Sequence, residues 1–128
     1  MKILGLDFGT KRIGLAISDE SQTLARELAI VSPKEIFDCI KAIMAEEGLE
    51  RIVVGLPLNM SGEDSDKTRE VRAFVGELKN ITGLPVEMVD ERLSSVMAEH
   101  LPGGGKNTDS LAAQIILQNY LDSKKAIS

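Results

Sequence analysis

Apolar residues occur in short runs near the start of this chain and at helical spacing further along. Two runs, at residues 2–7 and 13–18, have the length and composition of strands and flank a turn that contains Gly9, Thr10 and two cations. This arrangement is typical of a β-hairpin. A third apolar run, at residues 23–31, is predicted as a further antiparallel strand, although its Leu and Ala residues leave a helix open.

The apolar spacing changes to a helical period after residue 31. Ser32, Pro33 and Glu35 form the pattern of an N-cap, a first-turn proline and an N3 acid, and Gly48 is placed to end the helix that follows. The rest of the pattern predicts, in chain order, a buried strand over 51–55, a helix over 64–81, a strand over 86–89, a short helix over 94–101 and a last helix over 109–122.

This order of elements predicts an α/β fold. The first three strands are close enough for antiparallel hairpins, whereas strands that alternate with helices pair in parallel. We therefore expect a mixed five-stranded sheet, with three antiparallel strands followed by two parallel ones and with helices on both faces. The chain has 128 residues and 43% hydrophobic content, which suffices for one core, so residues 1–128 are predicted to form a single domain.

Three acids are predicted to meet at one edge of this sheet. Asp7 ends an otherwise apolar first strand, where a buried carboxylate is costly unless it is paired. Glu91 follows the last strand, and ligands gather at the carboxyl ends of such strands. Asp109 lies in the first turn of the last helix, on the face of Ala113 and Ile116. Oxygen ligands of this kind suit Mg²⁺ or Mn²⁺, and two such ions clamp a phosphodiester.

Each of these residues also has a plain structural interpretation. Asp7 alone could cap a turn, and an acid such as Asp109 is favoured at a helix start by the helix dipole. Lys11 and Arg12 are typical of a solvated turn. His100, the sole histidine, is interpreted as a surface or packing residue and not as a general base.

Composition narrows the class of protein. Lys and Arg number 15 against 20 Asp and Glu, and this net charge of −5 argues against a nonspecific nucleic-acid coat, although a local basic rim stays possible. Cys39 is the only cysteine, so no intramolecular disulfide can form, and we interpret it as a buried inert thiol. There is no signal-peptide layout and no apolar stretch of membrane-spanning length, so a cytoplasmic protein without a membrane partner is expected.

Four motifs, in this order, resemble the YqgF (RuvX) family: Asp7–Gly14, Val54–Asn59, Asp90–Ser95 and Asp109–Ala113. Members of this family are assigned as nucleases with the ribonuclease H-like fold and are related to Holliday junction resolvases. The resemblance covers essentially the whole chain. It implies a metal-dependent nuclease that processes the 5′ end of precursor 16S ribosomal RNA, with Holliday junction resolution as the close alternative.

The resemblance also implies roles for individual residues. By position, Asp7, Glu91 and Asp109 would be the catalytic, metal-binding acids, with two ions leaving a 5′-phosphate and a 3′-hydroxyl. Asp90 and Glu91 cannot both serve in a continuing strand, because adjacent side chains point to opposite faces. We choose Glu91, whose arm is longer and which matches the family's usual acid.

Nucleic acid is the expected partner, either precursor rRNA or branched DNA, and ribosome-assembly components are further candidate partners. Few aromatic residues are available for base stacking, so contacts to backbone phosphates are expected. The candidates are Thr10, Lys11, Arg12, Arg92 and Lys106. The sequence leaves monomer and homodimer open, and a two-fold dimer would favour junction resolution.

Two functions of other classes remain open. The segment 7–10 also resembles the phosphate loop of actin-like and hexokinase-like ATP-binding proteins, but these need two such domains to enclose a nucleotide. A catalytically silent RNA-binding module is the other alternative, which the acidic balance makes harder to explain.

Overall fold

The computed structural model describes residues 1–8, 11–56, 66–90 and 108–127, and of residues 56, 66–68, 90, 108–111 and 124–127 it describes the backbone. The elements in chain order are β1 (Lys2–Phe8), β2 (Ile13–Ser18), β3 (Ala25–Val31), α1 (Ile36–Glu47), β4 (Leu49–Leu56), α2 (Asp66–Thr82), β5 (Val86–Asp90) and α3 (Thr108–Ile127). The short helix predicted over 94–101 lies outside the described residues.

The five strands form one sheet in the order β3-β2-β1-β4-β5. β2 pairs antiparallel with β1 and β3, whereas β4 pairs in parallel with β1 and β5. The predicted mixed sheet is therefore confirmed, with β1 as its central strand. The sheet places the carboxyl ends of β1, β4 and β5 along one edge, because these strands run in the same direction.

One face of the sheet, which we call the bulky face, carries large side chains beneath α1 and α2. Phe74 of α2 lies at its centre, with its ring centroid 4.9 Å from that of Phe8 and 5.5 Å from that of Phe37. Val71, Val75 and Leu78 of α2 are buried here, as are Leu4 and Leu6 of β1. The three Phe residues thus belong to the core or pack against it.

The other face, which we call the thin face, is covered by α3 and is built from smaller residues. Its buried cluster consists of Ile3, Ala16, Ala25, Val53, Ala113, Ile116, Leu117 and Leu121. Because residues alternate between the two faces, Val53 of β4 belongs to the thin face while Ile52 and Val54 belong to the bulky face. Helices therefore cover both faces of the sheet, as predicted.

The predicted start of α1 is wrong by three residues. Glu35 and not Ser32 is the N-cap, and no side-chain capping bond forms there. The amide of Glu35 donates instead to the carbonyl oxygen of Ser32 at 3.0 Å, so Pro33 belongs to a turn that precedes the helix. The predicted end is confirmed: Gly48 has φ +72°, and its amide donates to the carbonyl of Met44.

Candidate functional site

Asp7 is the second-last residue of the central strand and is half-buried. It lies on the thin face, because Ile3 belongs to that face and side chains alternate along a strand. On the neighbouring strand it pairs with Gly14. The local sequence thus places one carboxylate at the carboxyl end of β1, under the helix that covers this face.

The approach of α3 to β1 is unusually close two residues before Asp7. A Cβ atom built on Gly5 would lie 2.8 Å from Cβ of Leu117 and 3.3 Å from the carbonyl oxygen of Ala113. Both distances are tighter than normal carbon contacts, so only a glycine permits this packing. The role of Gly5 in this close approach was not predicted from the sequence.

Two glutamines of α3 fix its direction relative to the sheet. Gln118 accepts a hydrogen bond from the Ala25 amide at 2.8 Å and donates to the Thr23 carbonyl at 3.0 Å. One turn earlier, Gln114 donates to the Ala25 carbonyl at 3.1 Å. Because β3 and β1 are both antiparallel to β2, they share a direction, and α3 runs against it. The first turn of α3 is therefore nearer the carboxyl end of β1.

This orientation relates Asp109 to Asp7. Asp109 is one helical turn before Ala113, and four residues of helix span about 6 Å. Asp7 is two residues beyond Gly5, and two residues of strand span a similar distance of about 6.6 Å. Measured from the contact between Gly5 and Ala113, the backbone positions of Asp7 and Asp109 therefore lie in the same direction and at about the same distance.

The end of β5 lies at the same sheet edge. Gly55 of β4 pairs with Val89, and the last pair is Leu56 with Asp90. Val89 packs against the thin-face cluster. The position that follows Asp90 is Glu91, which lies outside the described residues, as do Thr10, Arg92 and Lys106.

Comparison with known proteins decides the family. The RuvX family, described as "Holliday junction resolvase", matches residues 1–123. The chain belongs to the RuvX family. The resemblance carried by the four motifs is thus confirmed, and membership makes the chain a phosphodiester hydrolase.

Similar proteins match this RuvX member over nearly their full length. A protein of Maridesulfovibrio salexigens, named "Putative pre-16S rRNA nuclease", is 44% identical over 132 residues, which cover 94% of this chain and 98% of the relative. A protein of the same name from Phocaeicola vulgatus is 41% identical, with 98% and 99% of the two chains covered.

Solved structures establish the ribonuclease H-like fold of this RuvX member. Thermus thermophilus RuvC in complex with a Holliday junction substrate matches with a TM-score of 0.65 at 16% identity, covering 98% of this chain and 96% of the other. The fowlpox virus Holliday junction resolvase matches with a TM-score of 0.56 at 12% identity, covering 96% and 99%. At these identities the likeness concerns the fold alone.

Of the remaining predicted site residues, Lys11 and Arg12 lie in the described part of the chain. Lys11 and Arg12 are exposed in the connection between β1 and β2, near Asp7 in the chain. Among the residues whose side chains are described, no three metal-ligating groups come together. Of the three predicted acids only Asp7 has a described side chain, so the metal centre stays a prediction. No helix in the described part of the chain is long and apolar enough to span a membrane.

Two titratable groups lie away from the candidate site. Burial, with a smaller contribution from Glu35, raises the pKa of the half-buried Cys39 thiol, which disfavours the reactive thiolate. Burial also raises the pKa of Tyr120, and its hydrogen bond to Glu87 acts in the same direction. Glu87 in turn forms an ion pair with Arg51 of β4. Tyr120 of α3 is thus connected through Glu87 of β5 to Arg51 of β4.

The opposite end of the sheet contains a cavity. An open cavity of about 470 Å³ is lined there by Lys2, Ser18, Asp19, Glu20, Leu24, Ala25 and Arg26. Ser18 is buried and accepts a hydrogen bond from the Ile3 amide at 2.8 Å. None of the predicted site residues lines this cavity, so it gives no support to a site at this end.

Proposed function

We propose that this chain is a metal-dependent nuclease that processes the 5′ end of precursor 16S rRNA. The observation that carries the proposal is the position of Asp7: a half-buried carboxylate at the carboxyl end of the central strand, beneath the closely packed helix α3. The family match over residues 1–123 and the names of the relatives support the same activity and substrate.

The residues fit a divalent metal ion. Carboxylate oxygens are the hard ligands that Mg²⁺ and Mn²⁺ prefer, and Asp7 supplies one such carboxylate at a half-buried position. We assign Asp7, Asp109 and Glu91 as the residues that would hold it. Glu91 is preferred to Asp90 because its side chain is longer and because it matches the acid that is usual in the family at this position.

Bound divalent ions, of which we propose two, would supply an activated water for attack on phosphorus and stabilise the leaving oxygen. The chain's own carboxylates would hold these ions from two elements, Asp7 from the sheet and Asp109 from α3. Lys11 and Arg12, exposed beside the end of β1, are proposed to bind neighbouring backbone phosphates and hold the substrate in register. Further proposed phosphate contacts are Thr10, Arg92 and Lys106.

Holliday junction resolution is the second candidate function, because the family description names it. A resolvase cuts two symmetric strands and therefore needs a two-fold dimer that presents two sites on one side. For rRNA processing a monomer suffices, and ribosome-assembly components are then proposed as partners that bring the substrate to the site.

The test of the proposed function is a cleavage assay on two substrates. The purified chain is incubated with a precursor 16S rRNA fragment and with a four-way DNA junction, each with Mg²⁺, Mn²⁺ or a chelator. We expect cleavage of the RNA only when a divalent ion is present. Cleavage of the junction alone would favour the second candidate, whereas cleavage of neither substrate would refute a self-sufficient nuclease.

An Asp7→Asn variant assigns the activity to this site. We expect it to lower the cleavage rate by about 100-fold or more, the scale typical of losing one group that stabilises transition-state charge. Its unfolding free energy should be unchanged or higher, because the change relieves repulsion among carboxylates in the metal-free site. Asp38→Asn, at an exposed position of α1, is the matched control and should cleave normally. Full activity of the Asp7 variant would refute the assignment.

A further inference from the structure

We propose that Gly5 is a positioning residue: by lacking a side chain it sets the distance between Asp7 and the first turn of α3, and thereby the preference of the site for Mg²⁺. The inference rests on the proposed function, since it concerns the same metal ligands. It extends that function by naming what determines which ion the site accepts.

Gly5 is sterically confined by α3. The atoms nearest to a Cβ on Gly5 are Cβ of Leu117 at 2.8 Å and the carbonyl oxygen of Ala113 at 3.3 Å. Both atoms are fixed to the helix backbone, so neither can rotate away as the end of a flexible side chain could. A methyl group at Gly5 must therefore displace α3 from β1, by a few tenths of an ångström at Ala113 and by more at Leu117.

This displacement acts on the spacing between two of the proposed metal ligands. Asp7 is two residues beyond Gly5 on β1, and Asp109 is one helical turn before Ala113 on α3. A hydrogen-bonded helix moves as a unit over one turn, so a displacement at Ala113 reaches Asp109 largely undiminished. The separation of the two carboxylate-bearing positions would then increase.

Mg²⁺ and Ca²⁺ differ in how strongly their binding depends on the spacing of the ligands. Mg²⁺ requires near-ideal octahedral geometry with ligands at about 2.0–2.1 Å, whereas Ca²⁺ accepts irregular coordination at about 2.3–2.6 Å. A shift of a few tenths of an ångström is comparable to the difference between the two ions. Lifting α3 should therefore weaken Mg²⁺ binding more than Ca²⁺ binding.

The chain offers a second variant and a matched control. Ala16 pairs with Gly5 across β1 and β2 and is fully buried in the same thin-face cluster, so Ala16→Val should also lift α3, by a smaller amount. Gly76 of α2 is exposed, and a Cβ there would meet nothing within 4 Å. Gly76→Ala should thus leave metal binding unchanged.

The test is calorimetric titration of Mg²⁺ and Ca²⁺ into the wild-type chain, Gly5→Ala, Ala16→Val and Gly76→Ala, with unfolding curves for each. For Gly5→Ala we expect Mg²⁺ affinity to fall about 10-fold, the lower limit for residues that support metal ligands, and Ca²⁺ affinity to fall less. A merely structural role would lower stability without changing the ratio of the two affinities. If Gly5→Ala does not fold, Ala16→Val carries the same test.

The outcomes separate this inference from the proposed function. If the wild-type chain binds both ions and Asp7→Asn does not, the site is real. An unchanged affinity ratio in the folded Gly5→Ala and Ala16→Val variants then refutes the role of Gly5 alone. If the wild-type chain binds neither ion, the proposed metal site is refuted, and the inference about Gly5 is refuted with it.

Discussion

The two faces of the sheet differ in the size of the side chains that join it to its helices. On the bulky face, large aliphatic residues and the rings of Phe8, Phe37 and Phe74 fill the space beneath α1 and α2. On the thin face, small residues allow α3 to pack unusually close to the strands, namely Gly5, Ala16 and Ala113. Asp7 lies on the thin face.

This difference indicates a division of roles. Large buried side chains contribute most of the apolar area removed from water, so the bulky face supplies most of the stability. Small residues contribute less area but leave little freedom in the distance between helix and strand. The thin face is therefore suited to hold ligands from two elements at a fixed separation. Variants on the bulky face should consequently lose mainly stability, whereas variants on the thin face should lose mainly function.

The largest effect on stability is expected on the bulky face. Phe74→Ala removes a ring that contacts two other rings and should lower the free energy of unfolding by about 3–5 kcal/mol. Denaturant unfolding measures this loss. Below the unfolding transition, the folded variant should bind divalent ions as tightly as the wild-type chain. A large loss of ion affinity in the folded state would contradict the division between the faces.

A smaller effect on stability is expected for the glutamine that ties α3 to β3. Gln118→Ala leaves the Ala25 amide and the Thr23 carbonyl without their side-chain partner and should cost about 1–3 kcal/mol. Because the change loosens α3, metal affinity should also fall. Gln114→Ala, which removes one hydrogen bond, is the control and should cost less. A Gln118→Ala variant as stable as the wild-type chain would show that this side chain does not anchor the helix.

The smallest effect is expected at the ion pair far from the site. The hydrogen bond from Lys2 Nζ to Glu47 Oε1, at 2.8 Å, lowers the pKa of Glu47 below its ordinary value of 4.5. A depressed carboxyl pKa contributes stability that is present above the unfolded pKa and is lost as pH falls through the folded pKa. Unfolding curves at pH values on both sides of 4.5 should show a slightly steeper acid loss for the wild-type chain than for Glu47→Gln.

The control for this pH dependence is Glu46→Gln, since Glu46 is exposed on the same turn of α1. It should retain the wild-type acid response. Neither variant should alter metal binding, because the ion pair lies at the amino end of β1. An identical pH profile for Glu47→Gln and the wild-type chain would show that the ion pair contributes nothing to stability.

The sequence predicts the elements along the chain and the mixed character of the sheet because the local signals agree with the fold, whereas the spatial order of the strands was not predicted. The short connection between β1 and β2, the buried run of β4 and Gly48 at the end of α1 each have a direct pattern. The N-cap of α1 was mispredicted because Ser32 and Pro33 are equally compatible with a turn before the helix.

The site could be predicted only in part. The placement of Asp7 follows from strand length and alternation, which are local properties. Gly5 was missed because its importance depends on α3, which is distant in sequence. A glycine inside an apolar strand two residues before an acid is nevertheless a usable signal, since such glycines often mark the close approach of another backbone. The roles of Glu91 and Asp109 remain predictions.

The most direct test of the account is a crystal structure with Mn²⁺ bound, examined by anomalous scattering. The account predicts an anomalous peak at the carboxyl end of β1, with oxygens of Asp7 and Asp109 in its coordination sphere. A structure without Mn²⁺ at this position, or with the two carboxylates too far apart to share an ion, would contradict it.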